Sequence, residues 1–314
     1  MTKIVHASRA KESKILGSAT SPLSRRTFLT AGTTATATAL LTRSPAHAVG
    51  SGSRTTTRLR ELEQRHGARL GVFAHNLATK RTVRYRADEL FPICSVFKTL
   101  ASAAVLRDLD RHGEFLARRI HYTEADLPAG SDRTREHLAE GMTVAELCEV
   151  AITYSDNGAA NLLLRELGGP TAITGFARSL GDPVTRLDRW ETELNSAEPW
   201  RVTDTTSPRA IGRTYARLVL GDALNRPDGR LLTHWLLNNT TSGKRFRAGL
   251  PPTWAIADKT GSGDYGTTNN VGIAWTPDGT PVVLAVLSTK PDQDAAWDDA
   301  LVAEAAELLA HTLS

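Results

Sequence analysis

The chain has 314 residues, 40% of them hydrophobic and 23% charged, and a formal net charge of +4. These are the proportions of an ordinary globular protein, long enough for one large domain or two closely packed ones with ample core. The basic charge is local: Lys3, Arg9, Lys11, Lys14, Arg25, Arg26 and Arg43 against Glu12 give residues 1–48 a charge of +6, which leaves about −2 for the rest and excludes a basic stripe for nucleic acid there.

Residues 1–48 read in order as a basic leader, the twin arginine of Ser24-Arg25-Arg26-Thr27-Phe28-Leu29, a mildly apolar stretch from Ala31 to Leu41, and the small residues Ala46-His47-Ala48. That order predicts a signal peptide read by the twin-arginine export machinery and cleaved near Ala48. The mature protein is then expected to be secreted (extracellular or periplasmic), without a membrane anchor. The apolar stretch is far shorter than the ~20 residues that span a bilayer, no later segment qualifies, and no cysteine directly follows the cleavage site. The two cysteines, Cys94 and Cys148, are expected as free buried thiols, because twin-arginine substrates fold before export in a reducing compartment. A monomer is the default expectation.

Arg58 to Arg65 has the spacing of an amphipathic helix that Gly67 stops. Arg69 to His75 and Arg81 to Tyr85 read as the strands of a hairpin. From Ser95 to Leu109 the chain is apolar on nearly every face, which predicts a buried helix. Thr143 with Glu146 makes a capping box for another helix, and Ala159 to Leu167 forms one that ends at Gly168-Gly169-Pro170. Glu191 to Ser207 is polar and aperiodic, which predicts a long surface loop. Helix returns at Pro208 to Leu220 and Leu231 to Asn238. Trp254 to Lys259, Val271 to Thr276 and Pro281 to Thr289 are β-rich, and a last helix runs from about Asp294 to Leu313.

Strands at both chain ends with helices between them imply an α/β (α+β) fold. An antiparallel sheet of about five strands, flanked by helices, is expected from residues 49–93 and 238–314. A mostly helical domain is expected from residues 94–237, with an active site at the seam.

Four segments carry chemistry: Ser95-Val96-Phe97-Lys98, Ser155-Asp156-Asn157, Arg189 to Asn195, and Lys259-Thr260-Gly261-Ser262. On a helix Ser95 and Lys98 share a face, so the amine reaches the hydroxyl, and a neighbouring base is what turns serine into a nucleophile. The pattern alone says little, since Ser8-Arg9-Ala10-Lys11 repeats it in the leader. Ser155-Asp156-Asn157 alone reads as a turn or cap. Lys259-Thr260-Gly261 reads as the charged end of an edge strand, where Gly261 would let a substrate lie close to the backbone. Their order, the first on a buried helix and the last on a strand, sets them apart.

On these segments the chain resembles the serine β-lactamases and penicillin-binding proteins. Arg189-Trp190-Glu191-Thr192-Glu193-Leu194-Asn195, ahead of Asp204, is similar to the Ω-loop of class A β-lactamases, here residues 189–204. The resemblance runs from about residue 52 to 313. It implies a hydrolase of small-molecule β-lactams that needs no cofactor and no metal. Ser95 would be acylated, with its own N–H and that of Ser262 as the oxyanion hole. Lys98 and Glu191 are the alternative acylation bases. Ser155 would pass a proton to the leaving nitrogen, with Lys259 nearby. Asn157 would hold the substrate's side-chain amide, and Lys259, Thr260 and Ser262, on the strand of Gly261, its carboxylate, assisted by Arg245. Glu191 and Asn195 would activate the deacylating water, and Arg189 with Asp204 would close the loop's base.

Three positions depart from the family pattern. Thr192 stands where many members have proline, and Gly130 where an aromatic gate is frequent. Gly263 stands where some have a cysteine paired to one beside the nucleophile. The rival readings are a D,D-peptidase or transpeptidase on cell-wall peptides, which would not need Glu191, and a β-lactam-binding sensor that stays acylated. Metal hydrolysis is disfavoured, for the histidines lack H-E-x-x-H spacing.

Overall fold

The computed structural model describes residues 47–314, with side chains from residue 54 onward. The expected export signal therefore lies outside the described residues, save its last two positions. Helix α1 (His47–Arg65) starts well before the expected Arg58 and stops where Gly67 takes a left-handed φ of 57°. Strands β1 (Arg69–Asn76) and β2 (Thr82–Tyr85) form the expected hairpin, with Val72 opposite Tyr85. The middle of the chain supplies α2 (Phe97–Ala104), α3 (Val144–Thr153), α4 (Asn157–Leu167), α5 (Thr171–Ser179), α6 (Pro208–Val219) and α7 (Arg226–Leu237). Strands β3 (Ala255–Gly263), β4 (Thr267–Trp275) and β5 (Pro281–Thr289) follow, and α8 (Asp299–Leu313) closes the chain.

The five strands form one antiparallel sheet in the order β2-β1-β5-β4-β3. The N-terminal hairpin pairs with the last strand, and β3, which carries Lys259, lies at the far edge. Both faces are covered, which explains why β5 is a continuous apolar run instead of an alternating one. Leu59, Leu70, Val72, Leu284, Leu301 and Leu309 bury one face against α1 and α8. On the other, Phe73, Val283, Ala285, Ile211 and Tyr215 pack α6 on the sheet and continue into the helical core of Phe97, Leu100, Leu147 and Leu163. Each such fully buried side chain contributes about 1.5–3 kcal/mol.

Five further features differ from the sequence expectation. The segment from Ser95 to Leu109 is three pieces, a 3-10 turn (Cys94–Val96), α2, and a π-turn (Val105–Leu109). Lys259 to Gly261 lie inside β3, not at its end, because Ala255 to Gly263 all pair with β4. Helix α7 begins at Arg226, since the Asn225 side chain caps it, and α8 begins at Asp299, not Asp294, since Asp298 accepts the Leu301 N–H. Finally, the stretch from Glu191 to Ser207 is not a free surface loop. Asp204 to Ser207 are buried, and Thr205–Thr206 pair with Phe91–Pro92, just ahead of the nucleophile segment.

Candidate active site

The chain approaches the site through Cys94, whose φ is 44°, and leaves α3 through Ser155, whose φ is 61°. Left-handed backbone costs a non-glycine residue about 1–2 kcal/mol, so the surrounding contacts hold both turns in place. One such contact is Gly261. A methyl there would lie 3.1 Å from the Ile93 carbonyl and 3.2 Å from Cys94 Cβ. The space that Gly261 leaves is filled by the nucleophile's own turn, since alternation along β3 turns its missing side chain inward; this is a second reason for glycine here beside the expected close approach of substrate, whose pocket Gly261 also lines.

Ser95 lies in the 3-10 turn, three residues before Lys98 on the first turn of α2, and residues at that spacing eclipse one another. The Ser95 hydroxyl donates to Glu191 Oε1 at 3.2 Å, and Lys98 Nζ meets the same oxygen at 3.1 Å. Serine and lysine thus meet through the carboxylate; the direct contact expected from their spacing is absent among the described hydrogen bonds. Lys98 also donates to the Ser155 carbonyl at 2.7 Å and to Asn157 Oδ1 at 2.6 Å, and reaches Ser155 Oγ at 3.4 Å. Burial pulls its ammonium below the ordinary lysine value, and the Glu191 charge opposes that shift.

Glu191 is held from both sides. Its backbone N–H and C=O bond to the Asn161 side chain at 3.0 and 2.8 Å, its Oε2 accepts from Asn195 Nδ2 at 2.5 Å, and its peptide bond to Thr192 is cis. Asn195 Oδ1 is buried with no partner in the protein. The loop's base is closed by Arg189, whose Nε donates to Asp204 at 2.6 Å, while the other Asp204 oxygen accepts the N–H groups of Asp188 and Arg189. Across the loop the Asn195 carbonyl accepts the Asp264 N–H at 2.8 Å. A methyl at Gly263 would lie 2.7 Å from that carbonyl and 2.9 Å from Cys94 Sγ. Both cysteines are free and buried, and burial pushes the Cys148 thiol up to about 12.

Ser95, Gly130, Ser155, Asn157, Asn195, Arg245, Thr260, Gly261 and Ser262 line one pocket of about 690 Å³. Lys98, Glu191 and Lys259 are buried behind its wall. Lys259 donates to the Thr260 carbonyl at 3.0 Å, and burial together with the Lys98 charge pulls it well below the ordinary lysine value. Arg245 is not an exposed arginine. It pairs with Asp299 at 2.7 Å, donates to the carbonyls of Gly261 and Asn269, and touches Ser262 Oγ at 2.7 Å. Asn157 donates to the Ala129 carbonyl, while Asp156 caps α4 and accepts from Arg133 and Thr134, so this motif also fills the turn-and-cap role its residue types suggest.

The structure thus brings Ser95, Lys98, Ser155, Asn157, Glu191, Asn195, Arg245 and the segment from Lys259 to Ser262 to one place. It adds Asn161, four residues after Asn157 and so on the same face of α4, a spacing that was available as a signal. Thr241, bonded to Thr260, and Asp299 and Trp297 join from distant parts of the chain with no local signature. No group of three or more His, Cys, Asp or Glu side chains suited to a metal ion is found among the described residues, and no described helix is long and apolar enough to cross a membrane.

A family model described as the beta-lactamase enzyme family matches residues 54–313. The chain is similar to a beta-lactamase of Streptomyces albus G, with 63% identity over 94% of this chain and 98% of that protein. A beta-lactamase of Klebsiella oxytoca is 44% identical over 82% of this chain and 88% of its own length. The solved Streptomyces albus G beta-lactamase superposes with a TM-score of 0.80 at 65% identity, covering 83% of this chain and 100% of that one. A variant of the last common ancestor of Gram-negative class A beta-lactamases gives 0.79 at 52%, covering 82% and 97%. The chain belongs to the beta-lactamase enzyme family, as a class A member.

Proposed function

We propose that the protein hydrolyses β-lactams by acylation of Ser95 and water attack directed by Glu191. The observation that carries this is the shared carboxylate oxygen, Glu191 Oε1, at hydrogen-bond distance from both Ser95 Oγ and Lys98 Nζ. As the Ser95 oxygen bonds to the lactam carbonyl, its proton passes to Glu191, and charge on the carbonyl oxygen is met by the N–H groups of Ser95 and Ser262. The ring C–N bond then breaks and nitrogen takes the Ser155 hydroxyl proton, which Lys98 replaces; the proton held by Glu191 passes to Lys98 in turn and leaves the carboxylate free again. Thr260, Ser262 and Arg245 receive the substrate carboxylate, with Lys259 behind them, and Asn157 receives the acyl amide. In the second half, a water between Glu191 and the unpartnered Asn195 Oδ1 gives its proton to Glu191 as its oxygen bonds to the acyl carbon; the bond from that carbon to Ser95 Oγ breaks, and Glu191 returns the proton to Ser95.

A peptidase or sensor has no use for a buried carboxylate fixed by Asn161 and Asn195, and that arrangement favours hydrolysis over either rival. The test is steady turnover of a chromogenic cephalosporin by residues 49–314, unaffected by chelators. A single burst equal to the enzyme concentration would overturn the reading. Export rests on the sequence of residues 1–48: Arg25→Lys with Arg26→Lys should retain the enzyme in the cytoplasm, and undiminished export would remove the twin-arginine assignment. We infer a monomer, to be checked by sedimentation.

A further inference from the structure

We propose that Trp297 is a specificity-determining residue, the aromatic wall against which an aromatic acyl side chain of a β-lactam lies. This rests on the function proposed above. Trp297 lines the active-site pocket yet is 61% exposed, so its ring covers little of the protein itself. Its position is nonetheless fixed. The indole N–H donates to the Gly263 carbonyl at 3.0 Å, the next residue's N–H donates to Thr268 Oγ1 at 2.9 Å, and Asp299 pairs with Arg245 at 2.7 Å. Before it, the Ala296 carbonyl lies 2.9 Å from where a methyl on Gly266 would sit, so the segment lies flush on the turn between β3 and β4. An apolar ring held in water by contacts on either side has already lost the freedom that binding would otherwise remove.

The direction of the substrate follows from the strand. Gly263 is three residues past Thr260, about 10 Å along β3. With the carboxylate at Thr260 and the acyl amide between Asn157 and Ser262, the acyl side chain continues toward Gly263 and the indole. Residue 130 offers no ring: Gly130 has a φ of 74°, a methyl there would meet Asn157 Nδ2 at 2.8 Å, and the pocket's other exposed ring, Tyr154, already stacks under the Arg133 guanidinium. Gly130 therefore removes one aromatic surface, and the segment seated on Thr268 supplies another.

The experiment compares Trp297→Ala and Trp297→Phe with the parent enzyme on benzylpenicillin and on 6-aminopenicillanic acid, which has the same nucleus without an acyl side chain. The ratio of kcat/KM between the two compounds should fall about 3- to 10-fold in Trp297→Ala, mainly through KM for benzylpenicillin, and recover in Trp297→Phe, which keeps a ring but not the N–H. Equal changes on both compounds, an unchanged ratio, or a phenylalanine variant that behaves like alanine would overturn the proposal. Failure of the parent enzyme to turn over either compound would instead defeat the hydrolase reading on which it rests.

Discussion

Replacing Glu191 by glutamine keeps the side chain's size and removes its charge, and the consequences differ for the two halves of the reaction. The carboxylate lies 3.1 Å from Lys98, both side chains fully buried. At an effective dielectric of about 20 their attraction is about 5 kcal/mol. Without it, burial is opposed mainly by the more distant Asp156 charge, and the Lys98 value moves further below 10.5. Freed from its carboxylate partner, Lys98 gives up its proton more readily and stands in as the base for Ser95, so acylation falls less than deacylation. Glu191 is the carboxylate bonded to Asn195, so without it deacylation slows by the full general-base contribution, about 10²- to 10⁴-fold. The acyl-enzyme of Glu191→Gln should therefore accumulate, seen as a burst of one equivalent and as a mass increase on Ser95 in the intact protein. There is a pH signature as well. A lysine whose folded value is depressed destabilises the fold progressively as pH falls below its unfolded value, so the variant's deficit in thermal stability should widen between pH 10 and pH 7. Unchanged turnover, or turnover lost without an acyl-enzyme, would refute the division of labour between Glu191 and Lys98.

Asn161→Ala removes both hydrogen bonds to the Glu191 backbone and should slow deacylation about tenfold while acylation changes less, measured by acyl-enzyme lifetime; equal effects on both steps would refute the positioning role. Arg189→Ala leaves the buried Asp204 without its cation and should cost about 3 kcal/mol in denaturant unfolding, and a loss under 0.5 kcal/mol would contradict the clamp. Gly263→Ala forces a methyl against the Asn195 carbonyl and Cys94 Sγ, with an expected cost of about 1–3 kcal/mol and a shorter-lived loop conformation read by hydrogen exchange. Burial raises the Asp298 carboxyl, but Lys290, the Leu301 N–H and His66 outweigh it and hold the group below its ordinary 3.8. A depressed carboxyl stabilises above its unfolded value and loses that contribution as pH falls, so Asp298→Asn should be less stable than the parent by about 1 kcal/mol at pH 6, with the gap closing below pH 4.

The reacting groups were legible because their chemistry is local. A serine and a lysine three apart, a capped Ser-Asp-Asn turn and a lysine on a strand each declare themselves within a few residues, and the antiparallel sheet follows from strands at both chain ends. What holds those groups in place was not legible, because it arrives from far along the chain. Asp299 reaches Arg245 from 54 positions away, and Asn269 reaches the Pro92 carbonyl from 177. Gly261 shows the limit from the other side. A strand glycine says that something approaches the backbone closely, and only the fold reveals that the nucleophile's turn is such a visitor. The polar, aperiodic stretch before α6 likewise announces a loop, but nothing in its pattern discloses that Thr205 and Thr206 pair with Phe91 and Pro92.

That last pairing has a mechanical consequence. The short segment from Phe91 to Val96 is gripped twice: by the loop's base, where the Asp204 carbonyl accepts the Ile93 N–H at 2.8 Å, and by β3, where Gly261 admits Ile93 and Cys94. The water-directing carboxylate and the nucleophile are thereby referenced to the same few residues. Movement of the whole segment preserves their separation, whereas movement of the loop's outer part changes it. Acylation needs Ser95 and its oxyanion donors, which sit on the β3 side of this grip, and a base for which Lys98 can stand in when Glu191 is displaced. Deacylation needs Glu191 and Asn195 as well, which hang from the loop side through Asn161, Asp204 and Asp264. Loosening the loop at any of those three points therefore impairs release before it impairs attack, and converts a turning-over hydrolase step by step into a protein that captures its substrate and keeps it.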